Sequence, residues 1–366
     1  MRLAGAERQA CNLAIGLRRR GHDVSIATFY SGGMFSEELR RGDVRVIELK
    51  KGGRGDLLGF LVRLVRSLRT EAPDVLHPYL ESPNILAACL KPLLPSTKIV
   101  WGVRCSEKKP GGYDVISRLI SVAEPCFSRW ADRIIPNSQA GAAAAVISGF
   151  SNHNVSVIPN GIDTDCFAPD PDARLRLRAE WNISPGTLFI GRIGRFHPMK
   201  DYPTFLQAAA KFRSSHRDCR FLCLGAGDVQ YIRAMRGLAH GLGIDDALTI
   251  AAPRKDMRAV YNSLDIVTST SEYGEGFPNV IAEAMACGVA CVATNTGDSA
   301  AVLGRPELVA PVKSPDAIAE AWRKLADGRY GWDPEQARKR VISAFGIDGL
   351  VRRTEEVLLE TVTATV

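Results

Sequence analysis

Two successive series of short apolar runs, each run followed by a stretch of helical character, fill this chain of 366 residues. The first series comprises Val24–Phe29, Val44–Leu49, Val75–His77, Ile99–Val103, Arg133–Pro136 and Val155–Ile158. The second comprises Leu188–Ile193, Arg220–Leu224, Leu248–Ile250, Ile266–Thr268, Ala290–Ala293 and Leu308–Ala310. Strands that alternate with helices in this way form parallel sheets covered on both faces. A chain of this length exceeds one ordinary core, and the alternation lapses after the turn-forming Pro159-Asn160-Gly161, where Asp163 to Asp172 is polar and proline-containing. The expected fold class is therefore α/β, with two doubly wound Rossmann-like domains, 1–165 and 166–335, facing each other across a cleft.

Composition narrows the class further. Hydrophobic content of 46% and charged content of 24% are those of a soluble globular protein. Cysteines such as Cys11, Cys89, Cys105, Cys219, Cys223, Cys287 and Cys291 follow no metal-binding or disulfide-framework spacing, so reduced, mostly buried thiols in a cytoplasm are expected. Neither a signal peptide ahead of the first helix nor a membrane-spanning apolar run of about 18 residues or more is visible. Residues 1–165 hold 22 Lys/Arg against 16 Asp/Glu, a net of +6, and residues 166–366 hold 25 against 24, a net of +1. Within that first half, DLLGFLVRLVRSLRTEAPD pairs Leu57, Leu61, Leu64, Val65 and Leu68 with Arg63, Arg66 and Arg69. That pattern fits a helix packed on its own sheet, and it also fits peripheral contact with an anionic membrane. No aromatic-interleaved basic patch accompanies it, so nucleic acid is not an expected partner.

The chemistry concentrates at SEYGEGFPNVIAEAMACG, residues 271–288. Phe277-Pro278 leads into a helix built from strong helix formers such as Ala282, Glu283 and Ala284, with Pro278 suited to its first position and Gly288 ending it. The free N–H groups around Asn279, Val280 and Ile281 then suit a phosphate, while Glu275 before the helix and Glu283 inside it suit hydroxyl groups at the two ends of one elongated ligand. Sugar, diphosphate and ribose occur in that order. Upstream, the strand Leu188–Ile193 exits into Gly194, Arg195 and Lys200 ahead of a helix starting near Tyr202-Pro203. Ligands of open α/β sheets bind outside the carboxyl ends of the strands, so the two cations fall where a diphosphate needs neutralising, and Gly194 lets the backbone approach.

The segments GRFHPMKDYPTF and EGFPNVIAEAMACG, in this order and separation, resemble the retaining glycosyltransferases of the GT-B fold, family 4. GAERQACNLAIGLRRRGHDV resembles the family's first loop and helix, PDVLHPY a later strand of its first domain, VIPNGIDTDCF its interdomain connection, and FLCLGAGD and DMRAVYNSLDIVTSTSEYGEGFPN consecutive strands of its nucleotide domain. The resemblance implies that Arg195 and Lys200 hold the donor diphosphate, that Glu283 holds the ribose hydroxyls, and that Glu275 contacts the donor sugar. These give Glu275, Arg195 and Lys200 the catalytic roles. Gly5, Gly194, Gly225, Arg254, Gly276, Phe277, Asn279, Val280 and Glu283 are the expected donor-binding positions. It also implies that the terminal helices, 336–366, cross back onto the first domain.

Three positions depart from the family. Arg104 stands where many members carry a histidine, and so becomes a candidate contact for an anionic acceptor or for the donor. Ala301 occupies a position often acidic in relatives. Only Met1-Arg2-Leu3-Ala4 precede Gly5, where the family has a hydrophobic strand, so the first domain is expected to lack its first strand and the natural protein to start upstream or this chain to be truncated.

Two further motifs are weaker. Asp163-Thr164-Asp165 spells a metal-binding Asp-x-Asp but sits after a turn in a linker, and Gly225-Ala226-Gly227-Asp228 lacks the third glycine of a dinucleotide fingerprint. Neither a metal nor a resident cofactor is expected. The leading expectation is a transferase moving a hexose-type sugar, with retention, from a nucleotide-diphosphate sugar such as a UDP-sugar to a glycan or lipid-linked acceptor in surface polysaccharide or glycolipid synthesis. It would work in the cytoplasm or at the inner face of its membrane. A nucleotide-sugar epimerase or phosphorylase of similar fold, and an inactive nucleotide-binding relative, remain as alternatives.

Overall fold

The apolar runs become eleven strands among the described residues, 5–33, 35–53, 55–104, 115–151 and 154–364 of a computed structural model. In chain order they are β1 (Ser25–Thr28), β2 (Arg45–Glu48), β3 (Val75–Leu76), β4 (Lys98–Val103), β5 (Arg133–Pro136), β6 (Leu188–Ile193), β7 (Cys219–Leu224), β8 (Leu248–Ala251), β9 (Ile266–Ser269), β10 (Ala290–Thr294) and β11 (Val309–Ala310). Every pairing between them is parallel. The chain divides into two units, Met1–Gly161 with Ile347–Val366, and Ile162–Gly346. The return to the first unit thus begins at Ile347, later than the expected 336. Gly346 is the break: the helix Pro334–Phe345 belongs to the second unit and the helix Ile347–Thr363 to the first.

The second unit holds one six-stranded sheet in the order β11-β10-β9-β6-β7-β8. Its core is densely aromatic: Trp322, fully buried in the helix Pro315–Ala326, meets Phe205 at 5.5 Å, Phe212 at 5.8 Å and Phe221 at 6.1 Å between ring centroids. Its indole N–H donates to Thr268 Oγ1 of β9 at 2.9 Å, so a large apolar body is buried with its polar edge satisfied. Sequence order reverses at β6, which pairs with β7 on one side and β9 on the other. The loops leaving β6 and β9 therefore flank a topological switch point.

The first unit is built around two separate sheets, β1–β2 and β3–β4–β5. Within β4, Ile99, Val100 and Trp101 are fully buried. The helix Leu57–Glu71 lays Phe60, Leu64 and Leu68 against Leu49, Leu90 and Leu94. Leu350 and Val351 of the last helix reach the core, and Gly16 lets the first helix, Gly5–Arg19, come so close that a Cβ there would stand 2.2 Å from Val351. Between β1 and β3 lies an apolar slot of about 830 Å³ lined by Ile26, Leu64, Leu68, Leu76, His77 and Leu358, among others. Within the described residues β1 pairs only with β2 and β3 only with β4, so both strands present an unpaired edge. The positions on which the expectation of a lost first strand rests, Met1–Ala4, lie outside the described residues.

One expected strand does not form. Val155–Ile158 runs beside β5 with a single bridge, Ile134 to Val155, and with Ile158 N–H donating to the Pro136 carbonyl at 3.0 Å. Pro136 has no N–H to return, which stops the ladder.

Candidate functional site

Most candidate residues of the second unit gather at the switch point because the loops after β6, β7, β9 and β10 are tied to one another. Gly194 leaves β6 at φ 150°, and its N–H donates to the Leu224 carbonyl at 2.9 Å. Phe196 N–H then donates to the Ala226 carbonyl at 2.7 Å. The β7 loop must be glycine-rich for this: a Cβ on Gly225 would lie 1.9 Å from the Gly194 oxygen, and one on Gly227 2.3 Å from Phe196 Cβ. Pro198–Lys200 closes a single turn, and Asp201, at φ 44°, caps the helix Tyr202–Arg213 through the Thr204 N–H at 3.2 Å.

From the β9 side, Thr270 Oγ1 donates to the Lys200 carbonyl at 3.0 Å or to the Asp201 carbonyl at 2.9 Å, and Glu272 N–H donates to the Met199 carbonyl at 2.9 Å. From the β10 side, Asp298 N–H donates to the Gly276 carbonyl at 3.0 Å. Gly297, at φ 59°, sits so near that a Cβ would lie 2.5 Å from the carbonyl oxygens of both Glu275 and Gly276.

This knitting brings Lys200 and Glu275 together. The Lys200 ammonium is hydrogen-bonded to Glu275 Oε1, which also accepts from Ser271 Oγ at 2.6 Å. Burial pushes the Glu275 carboxyl up, but the Lys200 charge and the Ser271 hydroxyl outweigh it and hold the group below its ordinary range, so it stays ionised. Burial, helped by the nearby Arg192 and Arg195 charges, pulls the Lys200 ammonium down against the attraction of Glu275.

Arg195 differs: it is exposed and makes no ion pair among the described residues, so its charge is available to a ligand. The site also depends on Arg192, a residue that sequence reasoning passed over. It is 1% exposed, stands 4.7 Å from the Tyr202 ring centroid, and donates to the carbonyls of Ile193 and Lys200 at 2.7 Å each. The signal was a lone arginine inside the otherwise apolar run LFIGRI.

The helix expected after Phe277 runs Asn279–Ala286, with Pro278 at the capping position rather than the first helical one and Gly288 left-handed just past its end. The Asn279 N–H is turned to the Phe277 carbonyl at 3.0 Å, whereas the amides of Phe277 and Val280 have no partner among the described residues. The Phe277 ring is buried against Phe345, so only its backbone faces the loop. Glu283, on the fifth residue of that helix, accepts from Tyr261 Oη at 2.6 Å.

The remaining candidates lie elsewhere. Arg254 follows β8 and is held by Glu180 at 2.5 Å and Asp256 at 2.8 Å, over the Trp181 ring. Gly5 and Arg104 belong to the first unit, where Arg104 lies 4.3 Å from the Tyr79 ring centroid and donates to Asn160 Oδ1 at 3.4 Å. Asp163 spends its carboxylate on the N–H groups of Asp165 and Cys166, at 3.1 and 2.8 Å, as a local turn.

Residues 3–166 match the family model described as Glycosyltransferase Family 4, and residues 184–327 match that described as Glycosyl transferases group 1. Among curated proteins, the D-inositol 3-phosphate glycosyltransferase of Gordonia bronchialis is 32% identical over 231 residues, 56% of this chain and 50% of that protein. The phosphatidyl-myo-inositol mannosyltransferase of Mycobacterium tuberculosis is 35% identical over 195 residues, 51% of this chain and 47% of that protein. The chain spans about half the length of the curated relatives it matches. In fold it is similar to Anabaena HepE, crystallised with UDP, at a TM-score of 0.85 and 19% identity, with 98% of this chain and 97% of that one covered. Sucrose-phosphate synthase from Thermosynechococcus elongatus follows at 0.83 and 20% identity, covering 99% and 94%.

Proposed function

From the premise that the chain belongs to the family-4 glycosyltransferases of GT-B fold, we propose that its second unit binds a nucleotide-diphosphate sugar and that the protein transfers the hexose to a glycan or lipid-linked acceptor. The observation that carries this reading is the convergence, at one switch point, of the buried Lys200–Glu275 pair with Arg195 and the amides of Phe277 and Val280, which have no ion-pair or hydrogen-bond partner among the described residues. Cations and amides suit the two phosphates, and Glu275 suits sugar hydroxyls. Glu283, on a more distant turn of its helix, suits the ribose.

UDP is the proposed nucleotide, because HepE of similar fold was crystallised with UDP and with UDP-glucose. Acceptors carrying inositol phosphate or phosphatidyl-inositol are suggested by the names of the relatives. In the proposed reaction the bond from the anomeric carbon to the diphosphate oxygen breaks while an acceptor hydroxyl bonds to the same face of that carbon, and its proton passes to the departing diphosphate. Negative charge grows on the leaving group, and in this reading Arg195, Lys200 and the amides meet it, so stabilisation increases toward the transition state. Excess chelator is expected to leave turnover unchanged.

The test is incubation of the full chain with UDP-, GDP- and ADP-sugars and candidate acceptors, following nucleotide release and product mass. Acceptor-dependent glycosylated product with release of the nucleoside diphosphate supports the proposal. An epimerised sugar nucleotide, a free sugar phosphate, or binding without product would overturn it.

A further inference from the structure

The two strands that border the apolar slot of the first unit turn half of their backbone groups into it. Successive residues of a strand in a parallel ladder direct their N–H and C=O groups to opposite sides. The Thr28 carbonyl accepts from the Leu49 N–H at 2.8 Å, on the β2 side, so Ile26 also serves β2 while the groups of Ser25 and Ala27 turn away from it. On the other border, the carbonyls of Asp74 and Pro78 accept from the N–H groups of Lys98 and Gly102 at 2.8 and 2.9 Å, on the β4 side. The groups of Val75 and His77 therefore face the slot, and none of these four residues has a backbone partner on that side among the described residues. The slot is walled on both faces of the sheet. Val46 and Ile47, successive in β2, pack into different clusters, the first with Ala14 of the helix Gly5–Arg19 and the second with Leu64 and Leu68 of the helix Leu57–Glu71. Ala14, Leu64 and Leu68 line the slot with Ala10, Leu13 and Leu17. Arg45, at the start of β2, pairs with both Asp23 and Glu71, so β1 and β3 begin at the same end of the slot. That mouth is acidic: Asp23, Glu71, Asp74 and Glu355 stand there against Arg45 and His22, and Asp74 is exposed and makes no ion pair among the described residues.

We propose that this slot is a docking site for an extended peptide strand of a second polypeptide, seated parallel to β1 and β3, apolar on both faces and cationic at its N-terminal end. Hydrogen bonding and charge select that occupant. The walls alone would accept an acyl chain, but an acyl chain leaves the inward N–H and C=O groups of Ser25, Ala27, Val75 and His77 without partners, whereas one strand satisfies both edges at once. Because apolar helices cover both faces, neither side of the strand can be polar. Every pairing among the described strands is parallel, and a parallel strand brings its N-terminal flank to the acidic mouth, where lysine or arginine meets Asp74. The proposal stands on the first unit alone and does not depend on the sugar-transfer reading, so either can fail without the other.

Calorimetric titration of the full chain with a synthetic peptide, a lysine pair followed by about five alternating valines and isoleucines, tests it. Saturable binding is expected, with slowed exchange of the Ser25, Ala27, Val75 and His77 amides and no change at Leu188–Ile193. The same peptide N-methylated at every second residue should bind about tenfold more weakly or worse, because one edge loses its hydrogen bonds. Moving the lysines to the C-terminal end should weaken binding about threefold or more. Asp74→Lys should weaken the original peptide about fivefold and favour a glutamate-led version, at unchanged melting temperature because the side chain is exposed. Absence of saturable binding, equal affinity of the N-methylated peptide, equal affinity with the lysines at the other end, or binding of laurate but not of the peptide would each overturn the proposal. If Asp74→Lys melts lower than the parent, Asp74→Asn replaces it, and an affinity unchanged in that variant likewise overturns the proposal.

Discussion

Lys200 and Arg195 have the same sign of charge and adjacent places in one loop, yet removing them tests different things. Lys200 is buried against Glu275, so Lys200→Ala leaves a carboxylate stranded in low dielectric, at a cost of about 3–5 kcal/mol where nothing replaces the partner. Loss of activity in that variant would therefore mix stability with binding. Arg195 is exposed and makes no ion pair among the described residues, and Arg195→Ala should move stability by no more than about 0.5 kcal/mol while weakening donor affinity at least tenfold. The pair Lys200→Met with Glu275→Leu should recover most of the stability lost by Lys200→Ala and none of the donor binding, as read by thermal melts and calorimetry. His77 gives a second residue-scale expectation, in pH. Its Nδ1–H donates to the Val100 carbonyl, while burial, reinforced by the Arg104 charge, pulls its pKa from 6.5 to about 4. Between those values the unfolded chain binds the proton and the folded one does not, so stability falls as pH drops from about 6.5 toward 4, by about 2–3 kcal/mol at most. Urea melts of His77→Gln should lose less over that window, and a pH profile unchanged by the substitution would contradict the assignment.

At the scale of elements, the site is held by loops rather than by the helix that first draws the eye. Gly297 clasps the turn carrying Glu275 and Gly276 so closely that Gly297→Ala must displace it, at a left-handed φ that alanine also resists. That variant should lose donor affinity while the sheet core, remote from the loop tip, keeps its hydrogen-exchange protection. Unchanged affinity would mean that the turn does not set the site. The strands were legible because long apolar runs such as Leu188–Ile193 leave little choice, and here the expected and observed limits coincide. Glu275 and Glu283 could be picked out from the helix signals between them. The Lys200–Glu275 bond could not, since it joins residues 75 apart through tertiary packing. Arg192 was missed because a buried arginine in a strand makes sense only once the carbonyls of Ile193 and Lys200 are seen to need donors. The basic helix misled in the other direction: most of its conspicuous apolar stripe is core, and the face left in water begins at Leu58.

Across the whole molecule the two units differ in how completely their sheets are built. The second has a continuous six-stranded sheet sealed by the Trp322 cluster, whereas in the first, among the described residues, edges of β1 and β3 face an apolar slot. Amides of Ser25–Thr28 and Val75–Leu76 should therefore exchange faster than those of Leu188–Ile193, and a bound nucleotide sugar should raise protection in the second unit. The proposed donor site thus lies on the continuous sheet, which suits a site that depends on fixed charges and amides. The central claim is that this framework binds a nucleotide sugar through the loops after β6 and β9. Calorimetric titration of UDP-glucose into the full chain, repeated with Arg195→Ala, tests it most directly. Saturable binding that weakens at least tenfold in the variant, at unchanged melting temperature, is the predicted result; equal affinity in both proteins, or no binding of UDP-glucose at all, would contradict it.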